Sequence, residues 1–249
     1  MNIRSITAPN PGAFTLDGTR TYLLGETAVI DPGPAIHSHI AAILDAMPQL
    51  QTIFITHRHA DHAPAAAPLK QATGARIIAP LAEADVRVHG GETFEVEDTS
   101  IEVIATPGHT NEHVCYLTRG GDLFTGDTIL GSGTTAIFPP DGNMGDYLRS
   151  LRVLRERSPR HIWPAHGPTR DDAVALIDEY IAHRLERERQ VLELLASRAS
   201  TIAELRASIY PHLDPRLAGA AEIQLSAHLI KLQEETRVQT NDDRWSLAH

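Results

Sequence analysis

The sequence predicts an α+β domain followed by a small helical domain, and three patterns carry that reading. Short apolar runs of strand length recur between Thr21 and Trp163, broken by turn-forming residues and by amphipathic stretches. Four of these runs end in clusters that bear histidine or aspartate. From Thr169 onward the apolar spacing becomes helical. The division is placed at residues 1–185 for the α+β domain and 186–249 for the helical one.

The elements follow in order. Residues 21–24 and 28–31 read as a β-hairpin turned at Gly25-Glu26, and residues 36–47 as an amphipathic helix ended by Pro48. Residues 52–55 form a buried strand. A helix then runs to Gly74, because Pro64 suits a first helical turn and Ala65, Ala66, Ala67 and Leu69 are helix formers. Residues 76–79 are a strand, residues 93–96 and 101–105 a hairpin, and residues 114–118 pair with 123–125 across Arg119-Gly120-Gly121. Residues 146–157 are helical, and residues 161–163 are the last strand of this part. Thr169 with Asp172, and Thr201 with Glu204, have the capping-box spacing of helix starts. The first of these helices carries Val174, Ile177, Ile181, Leu185, Leu192 and Leu195 at helical spacing. Residues 202–209 and 222–232 give two more helices, and residues 238–245 a hairpin about Asn241-Asp242.

Composition bounds the function. The 249 residues, 42% hydrophobic and 22% charged, make a globular chain with room for one ample core and a small second domain. Cys115 is the only cysteine, so no intramolecular disulfide forms, and its apolar surroundings make it an inert buried thiol. Met1-Asn2-Ile3-Arg4-Ser5 has no apolar signal core and no stretch is long enough to span a membrane, which predicts a cytoplasmic enzyme. No internal repeat is present. The net charge is −10, and residues 171–249 hold nine Lys or Arg against fourteen Asp or Glu. Nucleic-acid footprints are basic, so specific DNA binding by this segment is disfavoured. The third helix there offers only Lys231, with Arg237 just beyond. Packing on the catalytic domain, or roofing its site, is the better reading.

The clusters carry the chemistry. They are Thr56-His57-Arg58-His59-Ala60-Asp61-His62, Pro107-Gly108-His109, Gly126-Asp127 and Pro164-Ala165-His166-Gly167. His57 and His59 are two apart on an extended run, so both imidazoles face one way and reach one ion. The turn after them aims Asp61 and His62 at a second position. His109, Asp127 and His166 complete the shells from neighbouring strand ends. A carboxylate bridges two cations about 3.5–4 Å apart, and Asp127 is the natural bridge. Seven donors thus predict two divalent ions. Zinc is the leading candidate; iron and manganese suit the same donors.

At this point the chain resembles the metallo-β-lactamase superfamily, and within it β-lactamase-like protein 2 and its bacterial relatives. The likeness rests on Asn10-Pro11-Gly12, Thr21-Tyr22-Leu23, Ile30-Asp31-Pro32-Gly33, Thr106-Pro107-Gly108-His109-Thr110 and Thr125-Gly126-Asp127-Thr128-Ile129-Leu130-Gly131. Gly133-Thr134-Thr135, Asp146-Tyr147 with Ser150-Leu151, Pro164-Ala165-His166-Gly167-Pro168, and His183-Arg184 with Arg187-Glu188 extend it over most of the chain. The resemblance implies a four-layer αβ/βα sandwich with a dinuclear site between the sheets, and a winged-helix-like arrangement of the last helices and hairpin. Its motifs specify fold and metal far better than substrate. Arg20 stands where the family usually has Asn before the Thr-Tyr pair.

The expected activity is hydrolysis of an ester-type bond, a thioester or other small ester, by a bridging hydroxide. Asp61 would hold one ion and orient the hydroxide, making Asp61 and Asp127 the catalytic pair. His113, Thr135, Tyr147, His183 and Arg184 are candidate substrate-binding groups, and Asp31 is read as support behind the ligands. By resemblance, lactamases commonly lack the Asp at position 127, oxygen-reducing diiron relatives carry Glu where His59 stands, and the usual Cys-Gly-His-Glu-Tyr of glyoxalase II is replaced by Pro164-Ala165-His166-Gly167-Pro168. The competing reading is a phosphodiesterase or endoribonuclease with single-stranded RNA as substrate. The third, a non-catalytic metal- or nucleic-acid-binding protein, is the weakest. A homo-oligomer remains open.

Overall fold

The computed structural model describes residues 1–248. Two mixed sheets lie face to face. The first is ordered β1 (Ile3–Thr7), β2 (Arg20–Leu24), β3 (Ala28–Ile30), β4 (Thr52–Phe54), β5 (Arg76–Ala79) and β6 (Val86–Arg87). It is antiparallel from β1 to β3 and parallel from β3 to β6. The second contains β7 (Thr93–Val96), β8 (Thr99–Ala105), β9 (Val114–Thr118), β10 (Asp122–Gly126) and β11 (His161–Pro164), in the order β11-β10-β9-β8-β7.

Strand alternation explains the layers. Successive side chains of a strand point to opposite faces. Tyr22, Leu24 and Phe54 of the first sheet therefore meet Ile101, Val103, Tyr116 and Phe124 of the second in a core between the sheets. Leu23 and Ile53 point the other way, against Ile43 and Leu69 of α1 (His37–Ala46) and α2 (Ala66–Thr73). On the far side Ile104, Leu123 and Ile162 pack on Leu151 and Ile177 of α3 (Met144–Glu156) and α4 (Ala173–Ser197). The result is a four-layer αβ/βα sandwich whose inner strands are buried on both faces. The Tyr116 hydroxyl donates to Ile55 O at 2.8 Å and Val114 N to Thr56 O at 3.0 Å, tying the second sheet to the segment that follows β4.

The last residues form α5 (Ile202–Ile209), a 3-10 turn Pro215–Leu217, α6 (Ala218–Glu234) and a hairpin of β12 (Val238–Asn241) and β13 (Arg244–Leu247). They have their own core of Leu205, Leu225, Leu229, Leu232 and Val238, into which Val191 and Leu195 of α4 reach. Buried Glu188 anchors them through Lys231 and Arg237, each at 2.6 Å. This is the winged-helix arrangement the sequence predicts. No helix among the described residues is long and apolar enough to cross a membrane.

Three local expectations change. The strands β1 and β6 are additions to the predicted elements; β1 is only half-buried and β6 has two residues, so neither carries a strong apolar pattern. The Thr169–Asp172 capping box does not form. Arg170 instead exchanges main-chain bonds with Ile162 at 2.8 and 3.0 Å, which keeps the chain extended beside β11 until α4 starts. The Thr201–Glu204 box is present in both directions. On α4 the buried face contains Arg184 and Glu188, while Leu185 is 42% exposed. Polar groups with partners occupy the stripe there, so apolar spacing alone selects the wrong neighbour.

Candidate metal centre and cavity

The segments after β4, β8, β10 and β11 converge at one edge of the sandwich, and they are the segments that bear the seven predicted ligands. His57, His59, His109 and Asp127 form one group of donor atoms, and Asp61, His62 and His166 a second; within each group the donors lie within 4.8 Å of one another. Asp127 faces both. Its Oδ2 is 3.4 Å from His109 Nε2, and its Oδ1 is 3.2 Å from His166 Nε2 and 3.5 Å from His62 Nε2. Asp127 comes this close because Gly126 precedes it. Gly126 has φ +48°, and a Cβ there would lie 2.5 Å from Thr56 Oγ1 and 2.8 Å from His113 Nε2.

Four of the five imidazoles are turned by a hydrogen bond on the other nitrogen. His62 Nδ1 meets Asp31 Oδ2 at 2.9 Å, His57 Nδ1 meets Thr56 Oγ1 at 3.0 Å, and His109 Nδ1 donates to Ala136 O at 2.8 Å. His166 Nδ1 is 3.3 Å from Gly18 O. These contacts leave the Nε2 atoms of His57, His62, His109 and His166 directed into the site, with Nδ1 of His59 beside them, 3.1 Å from His109 Nε2. His57 Nε2, His62 Nε2 and Asp127 Oδ1 are buried and make no hydrogen bond. Buried polar atoms without partners are costly. Neutral imidazole nitrogens and carboxylate oxygens, oriented from behind and aimed at common points, are what a divalent cation requires. The donor set fits two.

Asp31 sits at the centre of this support. Its Oδ1 accepts from Thr56 N and its Oδ2 from the Thr56 hydroxyl, both at 2.8 Å, besides the contact to His62. Two further supports lie outside the residues that sequence reasoning selects. The Thr19 hydroxyl donates to Asp61 Oδ2 at 3.1 Å, and Asn10 holds Thr19 through both its hydroxyl and its main-chain nitrogen. The Asn10-Pro11-Gly12 likeness is the one available signal.

Charge divides the two groups. Burial, aided by His62 and His113, pushes His57 well below the usual imidazole range, and burial beside His109 lowers His59. At His62 burial opposes the charge, but Asp127 and Asp31 outweigh it and hold the ring well above that range. At His166 burial is likewise outweighed by Asp127 and Asp61, and the pKa rises to about 9. Burial would raise Asp61 and Asp127, yet His62 and His166 keep both below the ordinary carboxylate range. A divalent ion and these protons compete for the same atoms.

A cavity of about 560 Å³ opens onto the two groups. His59, Asp61, His109, Asp127 and His166 form its floor. Phe14, Leu16 and Phe138 line its sides, and Tyr210, Leu213 and Leu217 of the C-terminal segment roof it. Among the described residues no lysine or arginine lines it. Of the candidate substrate groups, Thr135 lies in its wall. His113 is buried behind the site, its ring stacked on His57 at 4.8 Å with Nε2 accepting from Asp127 N. Tyr147 is buried with its hydroxyl on Thr128 O, and Arg184 is buried behind Thr134 and Thr135. His183 lines a neighbouring pocket with Arg170 and Glu179. Arg20, the departure from the family pattern, pairs with Asp17 at 2.7 Å. The aromatic and aliphatic roof has no sequence signal, because its residues come together only in three dimensions.

Known proteins share the fold and the domain make-up of this chain. Residues 15–85 and 79–166 match the family model of the metallo-beta-lactamase superfamily, and residues 201–245 that of the beta-lactamase associated winged helix domain. The chain is 32% identical to the beta-lactamase-like protein 2 homolog of Drosophila melanogaster, over 93% of this chain and 88% of that one. It is also 32% identical to an atrochrysone carboxyl ACP thioesterase of Aspergillus fumigatus, over 84% and 73%. A metallo-beta-lactamase family protein from Thermus thermophilus shares the fold with a TM-score of 0.80 over 98% of both chains, at 21% identity. The chain belongs to the metallo-β-lactamase superfamily of metal-dependent hydrolases and carries its associated winged helix domain.

Proposed function

We propose that the protein hydrolyses thioesters or other small esters with an apolar acyl group, using two divalent ions, with zinc the first choice. The observation that carries this reading is the cavity wall. It joins the metal-type floor to an aromatic and aliphatic enclosure with no lysine or arginine among the described residues. An RNA strand needs cationic and stacking contacts along its backbone; an acyl chain needs an apolar trough. The relatives named as ACP thioesterases support the same class. Residues 1–185 act as the catalytic part and residues 186–249 as the part that shapes access.

The chain's own residues have separate tasks. His57, His59 and His109 would hold one ion and His62 and His166 with Asp61 the other, and Asp127, which faces both groups, would serve both. When bound, the ions supply hydroxide at neutral pH, by lowering the pKa of water from 15.7 toward about 7, and polarise the acyl carbonyl. Asp61 Oδ2, which faces His62 and His166, is held by the Thr19 hydroxyl, and the Asp61 carboxylate would accept a hydrogen bond from the attacking water and orient it toward the carbonyl. Phe14, Phe138 and the roof exclude bulk water from the acyl side.

The test is a hydrolysis panel of metal-loaded protein: acyl thioesters of increasing length, lactones, a chromogenic phosphodiester and short single-stranded RNA. Turnover of apolar acyl thioesters or esters is expected. Cleavage of RNA or the phosphodiester in preference to every ester would replace this reading with the nuclease one.

A further inference from the structure

The segment from Leu130 to Phe138 walls one side of the cavity, yet it is neither strand nor helix. Two side chains hold it from behind. Arg184 on α4, 2% exposed, donates Nη2 to Thr134 Oγ1 at 2.8 Å and to Thr135 O, and Nη1 to Gln224 Oε1 at 3.0 Å. Gln224 on α6 donates Nε2 to Ile137 O at 3.0 Å. The guanidinium also lies over the Tyr147 ring, 5.3 Å from its centre. A cation this buried is costly unless its neighbours hold it. All of its hydrogen-bond acceptors are neutral, and all belong either to this wall or to Gln224.

The carbonyl between the anchored positions is that of Ala136. It accepts from His109 Nδ1 at 2.8 Å, which fixes both the tautomer and the direction of His109 Nε2. We propose that Gln224 and Arg184 are positioning residues for His109, through which the C-terminal domain sets one of the two donor groups. The connection runs from α6 through Gln224 and Arg184 to the wall, from Ala136 O to His109, and so to the group shared with His57, His59 and Asp127. Among the described residues the second group has no such link; His62 and His166 lean on Asp31 and Gly18 of the first sheet and its flanking loop. The winged helix domain is then part of the metal site's support, as well as a roof. This inference rests on His109 being a metal ligand, and the experiment separates the two claims.

Gln224 is only partly buried, so it can be replaced without opening the core. In full-length protein, Gln224→Glu keeps an acceptor for Arg184 but cannot donate to Ile137 O; Gln224→Leu removes both bonds. Zinc titrated into metal-free protein against a chromophoric chelator reads two affinities, and His109→Ala marks which one belongs to its group. Both Gln224 variants should weaken that affinity about tenfold or more, the usual cost of removing support behind a ligand, and leave the other in place. Arg244→Ala, which removes an exposed pair with Glu204 in the same domain, should change neither. No change in either affinity, or equal loss of both in step with the melting temperature, would overturn the inference. Parent protein that takes up no zinc, or in which His109→Ala leaves both affinities intact, would sink the ligand reading and the inference with it.

Discussion

At and behind the floor of the cavity most donors lean on a second group: His62 on Asp31, His57 on Thr56, His109 on the Ala136 carbonyl and Asp61 on Thr19. At the roof, Leu213, Leu217, Ala220 and Ala221 meet the same space with apolar surface alone, and Leu217 is 51% exposed. The floor is over-determined, as chemistry at fixed distances requires. The roof needs only shape and apolar area, which many side chains supply. Substitutions in the floor should therefore cost orders of magnitude, and substitutions in the roof should redistribute preference among substrates.

The largest effect is expected at Asp127. Asp127→Asn keeps the size of the side chain but removes the charge that faces both donor groups. We expect kcat/KM to fall about 10³-fold, because several kcal/mol of charge stabilisation is lost and each 1.36 kcal/mol is tenfold. Elemental analysis should show fewer than two ions per chain. Two retained ions with full turnover would refute the shared role.

Asp31 tests the support behind the floor. It has φ +48°, a conformation Asn also adopts, so Asp31→Asn should fold. Losing the carboxylate behind His62 should weaken one metal affinity by about 10- to 100-fold. A chelator competition that finds both affinities unchanged would make Asp31 a purely structural residue.

Floor and roof also differ in how far the sequence announces them. His57, His59, Asp61 and His62 lie within one short stretch, and His109, Asp127 and His166 each follow an apolar run, so strand ends and donors can be read together. The layers are legible for the same reason: β2, β4, β8 and β10 are apolar runs of strand length, because most of their side chains are buried on both faces. Other features are hidden. Thr19 and Thr56 look like ordinary strand and loop threonines until Asp61 and Asp31 approach them. Phe14, Phe138 and Leu213 are far apart in the chain. Arg184 occupies a buried helical face that apolar periodicity assigns to Leu185. What depends on tertiary approach leaves no local pattern.

The C-terminal domain has an acid-sensitive group of its own. His228 on α6 is fully buried and neither ring nitrogen has a partner. Burial, with Arg184, Lys231, Arg187 and His183 around it, pushes its pKa down to about 3. An unfolded histidine titrates near about 6.5. The stability tied to neutral His228 is therefore complete above about 6.5 and is lost as pH falls toward the folded value. At about pH 5 the loss is roughly 2 kcal/mol, from 1.36 kcal/mol per pH unit below the unfolded pKa. His228→Leu cannot take up that proton. Its denaturation midpoint should fall less than the parent's between pH 7.5 and 5, and since both proteins share every metal-type ligand, the difference isolates His228. Identical pH slopes would show that His228 finds a proton-accepting partner in solution.

The smallest effect is expected at Leu217, and it distinguishes roof from floor most directly. Leu217 is half exposed, so Leu217→Ala should leave the fold and metal content intact. A fully buried leucine is worth about 1.5–3 kcal/mol, and half of that range, realised only when an acyl chain covers the residue, is about 1 kcal/mol or roughly fivefold in rate. The loss should depend on substrate. An acetyl thioester is too short to reach the roof and should be unaffected, while longer acyl thioesters should lose kcat/KM through KM, because Leu217 touches no reacting atom. Steady-state kinetics on a series from acetyl to decanoyl separates the outcomes. A loss that grows with chain length places the acyl group under the C-terminal segment. A uniform loss would mean that Leu217 acts through the floor, and no loss at any length would mean that the acyl chain lies elsewhere and the division between floor and roof fails.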